Sequence, residues 1–263
     1  MSIIRLAGPA QSGAFFFWCY TGGMGVYLSV VIPAYNEAKR LPKTLKATVK
    51  YLSEQNYNWE IAVVDDGSKD KTADLVRAAA VTDSRVQLLQ YGNNRGKGYA
   101  VRYGMTHVSG EYRLFMDADN ATSVDQVRNF LPYMSMGFDV VIGSRDVPGA
   151  DIAVHQPWWK EKLGDLGNLW IRAWAVPGIK DTQAGFKLFS AKASEEVFSR
   201  LTLDRWGFDV EALAVARLLE YKVLERPIRW VNDPNSKVSM KAYSQVLREV
   251  VQVRLNIWSG IYK

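Results

Sequence analysis

Tyr112-Arg113-Leu114-Phe115-Met116-Asp117-Ala118-Asp119 is the stretch on which the fold turns. It is a short, mostly apolar run that ends abruptly in two carboxylates, the pattern of a buried strand meeting a polar loop. Two earlier runs end the same way. Tyr27 to Ile32 leads through Pro33 to Glu37, and Glu60 to Val64 leads into Asp65-Asp66-Gly67-Ser68. A further run, Val86 to Leu89, stops at Gly92-Asn93-Asn94-Arg95-Gly96. Helical periodicity separates them: Leu41 to Leu52, Thr72 to Ala80, and a stretch reaching Met105. This alternation predicts an α/β fold, a mostly parallel sheet with helices on both faces. Ligands of such sheets bind beyond the carboxyl ends of strands. Three polar strand ends therefore predict a single site.

The remainder of the chain fits the same domain. Asp139 to Gly143, Phe186 to Phe189 and Val223 to Val231 read as strands, and helices are expected over Lys160–Trp174, 191–200 and 209–220. Residues 1–26 read as an N-terminal extension, disordered or non-native. Residues 27–235 read as one domain, and residues 236–263 as a basic amphipathic helix. Nothing in the 263 residues looks like a linker, and no run is long and apolar enough to read as a transmembrane helix.

Composition limits the chemistry. One cysteine excludes an internal disulfide framework and a thiolate zinc cluster, and two histidines leave little for a multi-histidine metal site or a Ser-His-Asp triad. A metal here is expected to be hard and held by oxygen. The net charge of +6 favours anionic partners. Nucleic acid is not expected among them, because acidic strand ends repel it. Asp117 and Asp119 lie two apart on an extended chain and so point the same way. Such a pair can hold Mg²⁺ or Mn²⁺ and leave positions open for diphosphate oxygens.

Four ordered motifs carry a resemblance: Val31-Ile32-Pro33-Ala34-Tyr35-Asn36-Glu37, Val63-Val64-Asp65-Asp66-Gly67-Ser68, Asn94-Arg95-Gly96-Lys97-Gly98 and Asp117-Ala118-Asp119. Over about residues 27–262 the chain resembles family 2 glycosyltransferases. The resemblance implies a single-domain GT-A (Rossmann-like) fold, a nucleotide-sugar donor and inversion at the anomeric carbon. It further implies that Pro33, Ala34, Tyr35, Glu37, Asp65 and Asp66 line the nucleotide pocket and that Lys97 approaches the nucleotide or its phosphates. Asp117, Ala118 and Asp119 then serve the metal and diphosphate.

Asp181-Thr182-Gln183-Ala184-Gly185-Phe186-Lys187, Arg205 to Glu211 and Ser236-Lys237 are similar to the dolichyl-phosphate β-glucosyltransferases, which tend to have Gly in place of Asn120. This favours UDP-glucose as donor and a dolichyl or other polyprenyl phosphate as acceptor. Gln183 and Lys237 are then expected on the donor side, and Arg145, Lys187, Asp209 and Glu211 at the acceptor. For Asp209 a helix cap is the alternative. Lys160, Lys162 and Arg172 are looser candidates for the lipid phosphate. A phosphate monoester is already anionic near neutral pH, so it attacks without a strong base. What the site needs is cations, with Arg145 foremost.

A lipid acceptor implies a cytoplasmic protein in peripheral contact with a membrane. Val246, Val250, Val253 and Ile257 form one apolar row, with Leu247, Val251, Leu255 and Trp258 alongside. Such a helix lies in the membrane interface or packs on the domain, and Trp158-Trp159 is a second candidate anchor. The alternative enzyme is a dolichyl-phosphate mannose synthase-like protein using GDP-mannose. A more remote reading is a non-catalytic nucleotide-sugar-binding protein.

Overall fold

The computed structural model describes residues 25–154, 170–172, 174–231 and 240–263. Strands β1 (Leu28–Ala34), β2 (Trp59–Asp65), β3 (Val86–Gln90) and β4 (Tyr112–Met116) alternate with helices α1 (Leu41–Ser53), α2 (Thr72–Thr82) and α3 (Lys97–His107). A 3₁₀ turn (Val124–Asn129) and α4 (Leu131–Ser135) follow, then β5 (Val140–Ser144) and β6 (Asp151–Val154). The chain continues through β7 (Phe186–Ser190), α5 (Ala191–Phe198), α6 (Phe208–Leu218), β8 (Val223–Pro227), β9 (Arg229–Val231) and α7 (Met240–Ser259).

Seven strands pair in the order β3-β2-β1-β4-β7-β5-β8. The pairs are parallel except where β7 runs antiparallel to β4 and β5. β1 has β2 on one side and β4 on the other, so the strand order reverses beside it. The carboxyl ends of β1, β2 and β4 therefore open on one edge, where a cleft forms. Alternate strand residues feed two cores. Val31, Val64 and Phe115 pack with α3, α5, α6 and α7, whereas Ile32, Val63 and Leu114 pack with α1 and α2. The α1 stripe Leu41, Thr44, Leu45, Thr48 and Leu52 is buried at helical spacing, as an amphipathic helix on a sheet requires.

One expectation is corrected. Val223–Val231 is not one strand: Pro227 ends the pairing of β8 with β5, and Arg229–Val231 joins β6 in a separate two-stranded sheet. The expected Lys160–Trp174 helix falls mostly outside the described residues, as do residues 1–24, His155, Trp158-Trp159, Lys160, Lys162 and Lys237. Arg172 is described and exposed.

The Val246, Val250 and Val253 row of α7 is buried against α6 in the larger core. Tyr262, just beyond the helix, is fully buried, and its hydroxyl donates to Glu211 at 2.7 Å. Glu211 also accepts from the Thr202 amide (2.9 Å), the Thr202 hydroxyl (2.6 Å) and the Leu203 amide (2.9 Å). A buried carboxylate needs such a set of donors. Tyr262→Phe removes one of them and is expected to lower stability by about 1–3 kcal/mol in urea unfolding. A midpoint equal to wild type would show that this contact contributes nothing.

Candidate active site

At the cleft edge each strand end is braced by its neighbour. The Asp66 amide donates to the Ala34 carbonyl (2.8 Å), tying β2's end to β1's. The Asn36 amide donates to Ser68 Oγ (2.9 Å), and the Glu37 amide to Thr72 Oγ1 (2.8 Å). Gly67 turns the chain at φ 72°, and a Cβ there would stand 2.8 Å from the Asn94 nitrogen. Only glycine meets both demands without strain.

Asp65 and Asp66 take different positions. Asp65 is fully buried and accepts from the Ser68 amide and from Gln90, so it shapes the turn. Asp66 accepts from Tyr91 Oη (3.0 Å), Asn94 Nδ2 (2.8 Å), the Arg95 amide (2.7 Å) and the Gly96 amide (2.9 Å). It pins the 91–96 loop against the site. Beside that loop lies an open cleft of about 720 Å³, bounded by Tyr35, Ser68, Lys69, Tyr91 and Asn93. Of the residues expected to line a nucleotide pocket, Tyr35 faces this cleft and Asp66 holds its wall. Pro33 and Ala34 are part of β1.

Asp117 and Asp119 follow β4. Lys97, the first residue of α3, reaches Asp117 Oδ1 at 2.5 Å. Burial works to lower the Lys97 pKa, but Asp117 and Asp209 outweigh it and hold the ammonium above its ordinary value. Asp119 is pushed up, first by burial and then by the charge of Asp117. Its Oδ1 accepts from the Ala121 amide (3.0 Å), and Arg40 lies 3.8 Å from Oδ2. Glu37 does not open toward the cleft as a bare carboxylate. It is largely buried and grips Arg40 at 2.6 and 2.7 Å. Ala118 is buried too, and its carbonyl accepts from Thr44 of α1 (2.7 Å).

Gly185 closes the other side. Its carbonyl accepts from the Asp117 amide at 3.2 Å, and a Cβ built on it would overlap the Asp117 carboxylate. Gln183 is half-buried, with its amide donating to Asp181 at 3.2 Å. Arg145, just past β5, makes a two-pronged pair with buried Asp181 (2.7 and 2.9 Å). Its guanidinium also lies 5.3 Å from the centre of the Trp230 ring. Burial alone lowers the Arg145 pKa, but Asp181 more than reverses it, so the guanidinium is a fixed cation.

Three residues expected at the acceptor are placed differently. Lys187 is fully buried, with its ammonium on the Ala184 carbonyl (2.6 Å) and on Asp209. Asp209, on α6, is likewise buried and does not cap the helix, whose cap position is Gly207. Glu211 is held by Thr202, Leu203 and Tyr262 as described above. Lys187 and Glu211 are fully buried here and held by protein partners, so neither presents surface to a ligand in this structure. Asp209 instead links the Lys187 charge to Lys97, whose pKa it helps to raise. Arg40 is the site cation that the motifs did not disclose. Its spacing three residues after Glu37, one helical turn apart, was the available signal.

The residues fit a hard divalent cation. Two carboxylates share the end of β4, one of them made more basic by burial and then by the other, and beside them Asn120 Oδ1 is buried without a partner. Among the described residues no third Asp, Glu, His or Cys joins them, so the remaining ligands would be donor phosphate and water.

The glycosyl transferase family 2 model matches residues 29–198. The chain is 38% identical over 250 residues to a dolichyl-phosphate β-glucosyltransferase of Trichomonas vaginalis, covering 89% of this chain and 76% of that protein. It is 32% identical over 250 residues to the dolichyl-phosphate β-glucosyltransferase of Homo sapiens, covering 90% and 77%. Among solved structures, it resembles glucosyl-3-phosphoglycerate synthase from Mycobacterium tuberculosis in complex with Mn²⁺, uridine diphosphate and phosphoglyceric acid. That match has a TM-score of 0.63 at 16% identity, covering 88% of this chain and 78% of the other. The fold they share is GT-A.

Two outcomes follow from the site's charges. Because the folded protein raises the Asp119 pKa, ionising this carboxyl costs stability as pH rises through that raised value. Mn²⁺ is therefore expected to raise the melting temperature more at pH 7 than at pH 5, and Asp119→Asn to abolish the shift. An equal shift in the variant would remove Asp119 from the metal. Lys187→Met strands buried Asp209 and is expected to cost about 3–5 kcal/mol in urea unfolding. Adding Asp209→Leu is expected to recover much of that loss. A double variant no more stable than the single one would contradict the pairing.

Proposed function

The chain belongs to glycosyltransferase family 2, and from that premise we propose that it transfers glucose from UDP-glucose to a dolichyl or other polyprenyl phosphate. The observation that carries the reading is the similarity to dolichyl-phosphate β-glucosyltransferases across about nine-tenths of the chain. The charges at the β4 end support it. Two carboxylates are flanked by Lys97 and Arg40, and Arg145 is fixed by its pair with Asp181.

In this reading Asp117 and Asp119 hold Mg²⁺ or Mn²⁺, which when bound offsets charge on the diphosphate. Tyr35 and the loop braced by Asp66 receive the nucleotide. Lys97 sits where it can pass from Asp117 to a phosphate oxygen, and Arg40 steadies Asp119. An oxygen of the acceptor phosphate attacks the anomeric carbon, the bond to the UDP oxygen breaks, and UDP departs with the electron pair. The anomeric centre inverts. No proton need be removed from an acceptor already ionised near neutral pH. Arg145 holds the acceptor phosphate near the donor through the guanidinium N–H groups that Asp181 leaves over. Among the described residues no helix is long and apolar enough to cross a membrane. In this reading the enzyme meets its lipid by peripheral contact from the cytoplasmic side.

The test offers UDP-glucose, GDP-mannose and UDP-N-acetylglucosamine, each with a short polyprenyl phosphate and Mg²⁺ or Mn²⁺. Glucolipid is expected from UDP-glucose alone, and Asp119→Ala is expected to reduce turnover at least a hundredfold. Product from GDP-mannose alone would overturn the choice of sugar. Arg145→Met is expected to raise the acceptor KM and lower kcat, while leaving UDP affinity near wild type.

A further inference from the structure

Helix α7 presents two separate apolar faces, and the domain uses only one. Val246, Val250 and Val253 are buried in the core. At ~100° per residue, Leu247, Val251, Arg254, Leu255 and Trp258 fall within about 100° of the circumference, turned away from that buried row. Leu255 is 48% exposed, Trp258 66%, and Ile261 just beyond the helix 54%. Apolar side chains this large are ordinarily solvent-exposed singly rather than in a row.

The charges along this face have one sign. Arg248 is exposed beside Leu247 and Leu255, and the Arg254 guanidinium lies 5.0 Å from the Trp258 ring centre. Lys263 is exposed past Ile261. Glu249 is the one acidic residue from Met240 onward, and it is turned inward, accepting from the Gly207 amide and from Gln245. The face is also held rigidly. Asn256 donates to Thr202 Oγ1 and to Tyr262 Oη, both at 3.0 Å, so the polar flank of α7 is bolted to the 201–207 segment.

We propose that the Leu247–Leu255–Trp258–Ile261 face of α7, with Arg248, Arg254 and Lys263, is the surface by which the enzyme seats on an anionic lipid bilayer. The choice of occupant follows from the charge. A row of aliphatic and indole side chains edged only by cations matches acyl chains beneath anionic headgroups. Trp258 supplies an apolar ring suited to the headgroup boundary, and Arg254 stacked on it reaches the phosphate level. The proposal rests on the lipid-phosphate reading above for the preference of a bilayer over another apolar partner. The same α7 is tied through the 201–207 segment to the start of α3, where the Gly98 and Tyr99 amides donate to the Arg205 and Asp204 carbonyls. The seat is thus rigidly related to Lys97.

The test is flotation of the full chain with vesicles of phosphatidylcholine, with and without phosphatidylserine. Leu255→Ser/Trp258→Ser and, separately, Arg248→Glu/Arg254→Glu are compared with wild type. Wild type is expected to bind the anionic vesicles about tenfold or more tightly than the neutral ones. Each variant is expected to lose at least tenfold in that binding while keeping wild-type melting temperature and wild-type transfer to a short, water-soluble acceptor. Equal flotation of wild type and both variants would overturn the proposal. So would failure of wild type to bind either vesicle, or sedimentation as a dimer that both variants dissolve. Transfer to the soluble acceptor is read separately. A protein that floats through this face but glycosylates no polyprenyl phosphate would leave the docking surface standing and remove the acceptor reading.

Discussion

Two carboxylates that repel one another stand at the end of β4, and much of the surrounding architecture bears on that repulsion. Burial and the charge of Asp117 raise the pKa of Asp119, which means that ionising the pair is uphill. Lys97 offsets one charge at contact distance, while Arg40, gripped by Glu37, stands at the edge of the other. A site with two negative charges and one close cation has a standing attraction for a divalent ion. Pairing alone would not place the lysine so well. It is the first residue of α3, and that helix is fixed by carbonyls of the 201–207 segment at its first turn.

Beneath this surface the charges alternate inward. Lys97 is drawn upward in pKa by Asp209 as well as Asp117, and Asp209 is paired with Lys187 inside the sheet. Buried ion pairs are poor sources of net stability, because desolvation offsets their attraction. Their retention here is better explained by position. Lys187 sits on β7, the strand that bridges β4 to β5. Asp209 lies in the first turn of α6, so the pair locks the helix that carries Glu211 onto the sheet whose strand β4 leads into Asp117.

Much of this was legible in the sequence, and the failures have physical causes. Apolar runs ending in acidic residues identified β1, β2 and β4 and their common edge, because parallel strands buried on both faces leave that pattern. The antiparallel course of β7 could not be read, since alternation has the same period in either direction. The kink at Pro227 was visible as a proline but not as a transfer between sheets. Charged residues were harder. Lys187, Asp209 and Glu211 sit in motifs and invite functional roles, yet their partners, 3 to 51 positions away, bury them. Conversely, Arg40 sits outside the quoted motifs and is nevertheless carried to the site by the turn that leads into α1. The two apolar rows of α7 were both apparent, but only packing showed that Val246, Val250 and Val253 face inward.

The central claim is that Asp117 and Asp119 create the donor site by holding a divalent cation shared with the nucleotide's phosphates. Calorimetric titration of UDP tests it most directly, run with Mn²⁺ and again with excess chelator on wild type and Asp119→Asn. The account predicts that removing the metal, or the Asp119 charge, weakens UDP binding at least tenfold, about 1.4 kcal/mol. Affinity that is the same in all four titrations would contradict it.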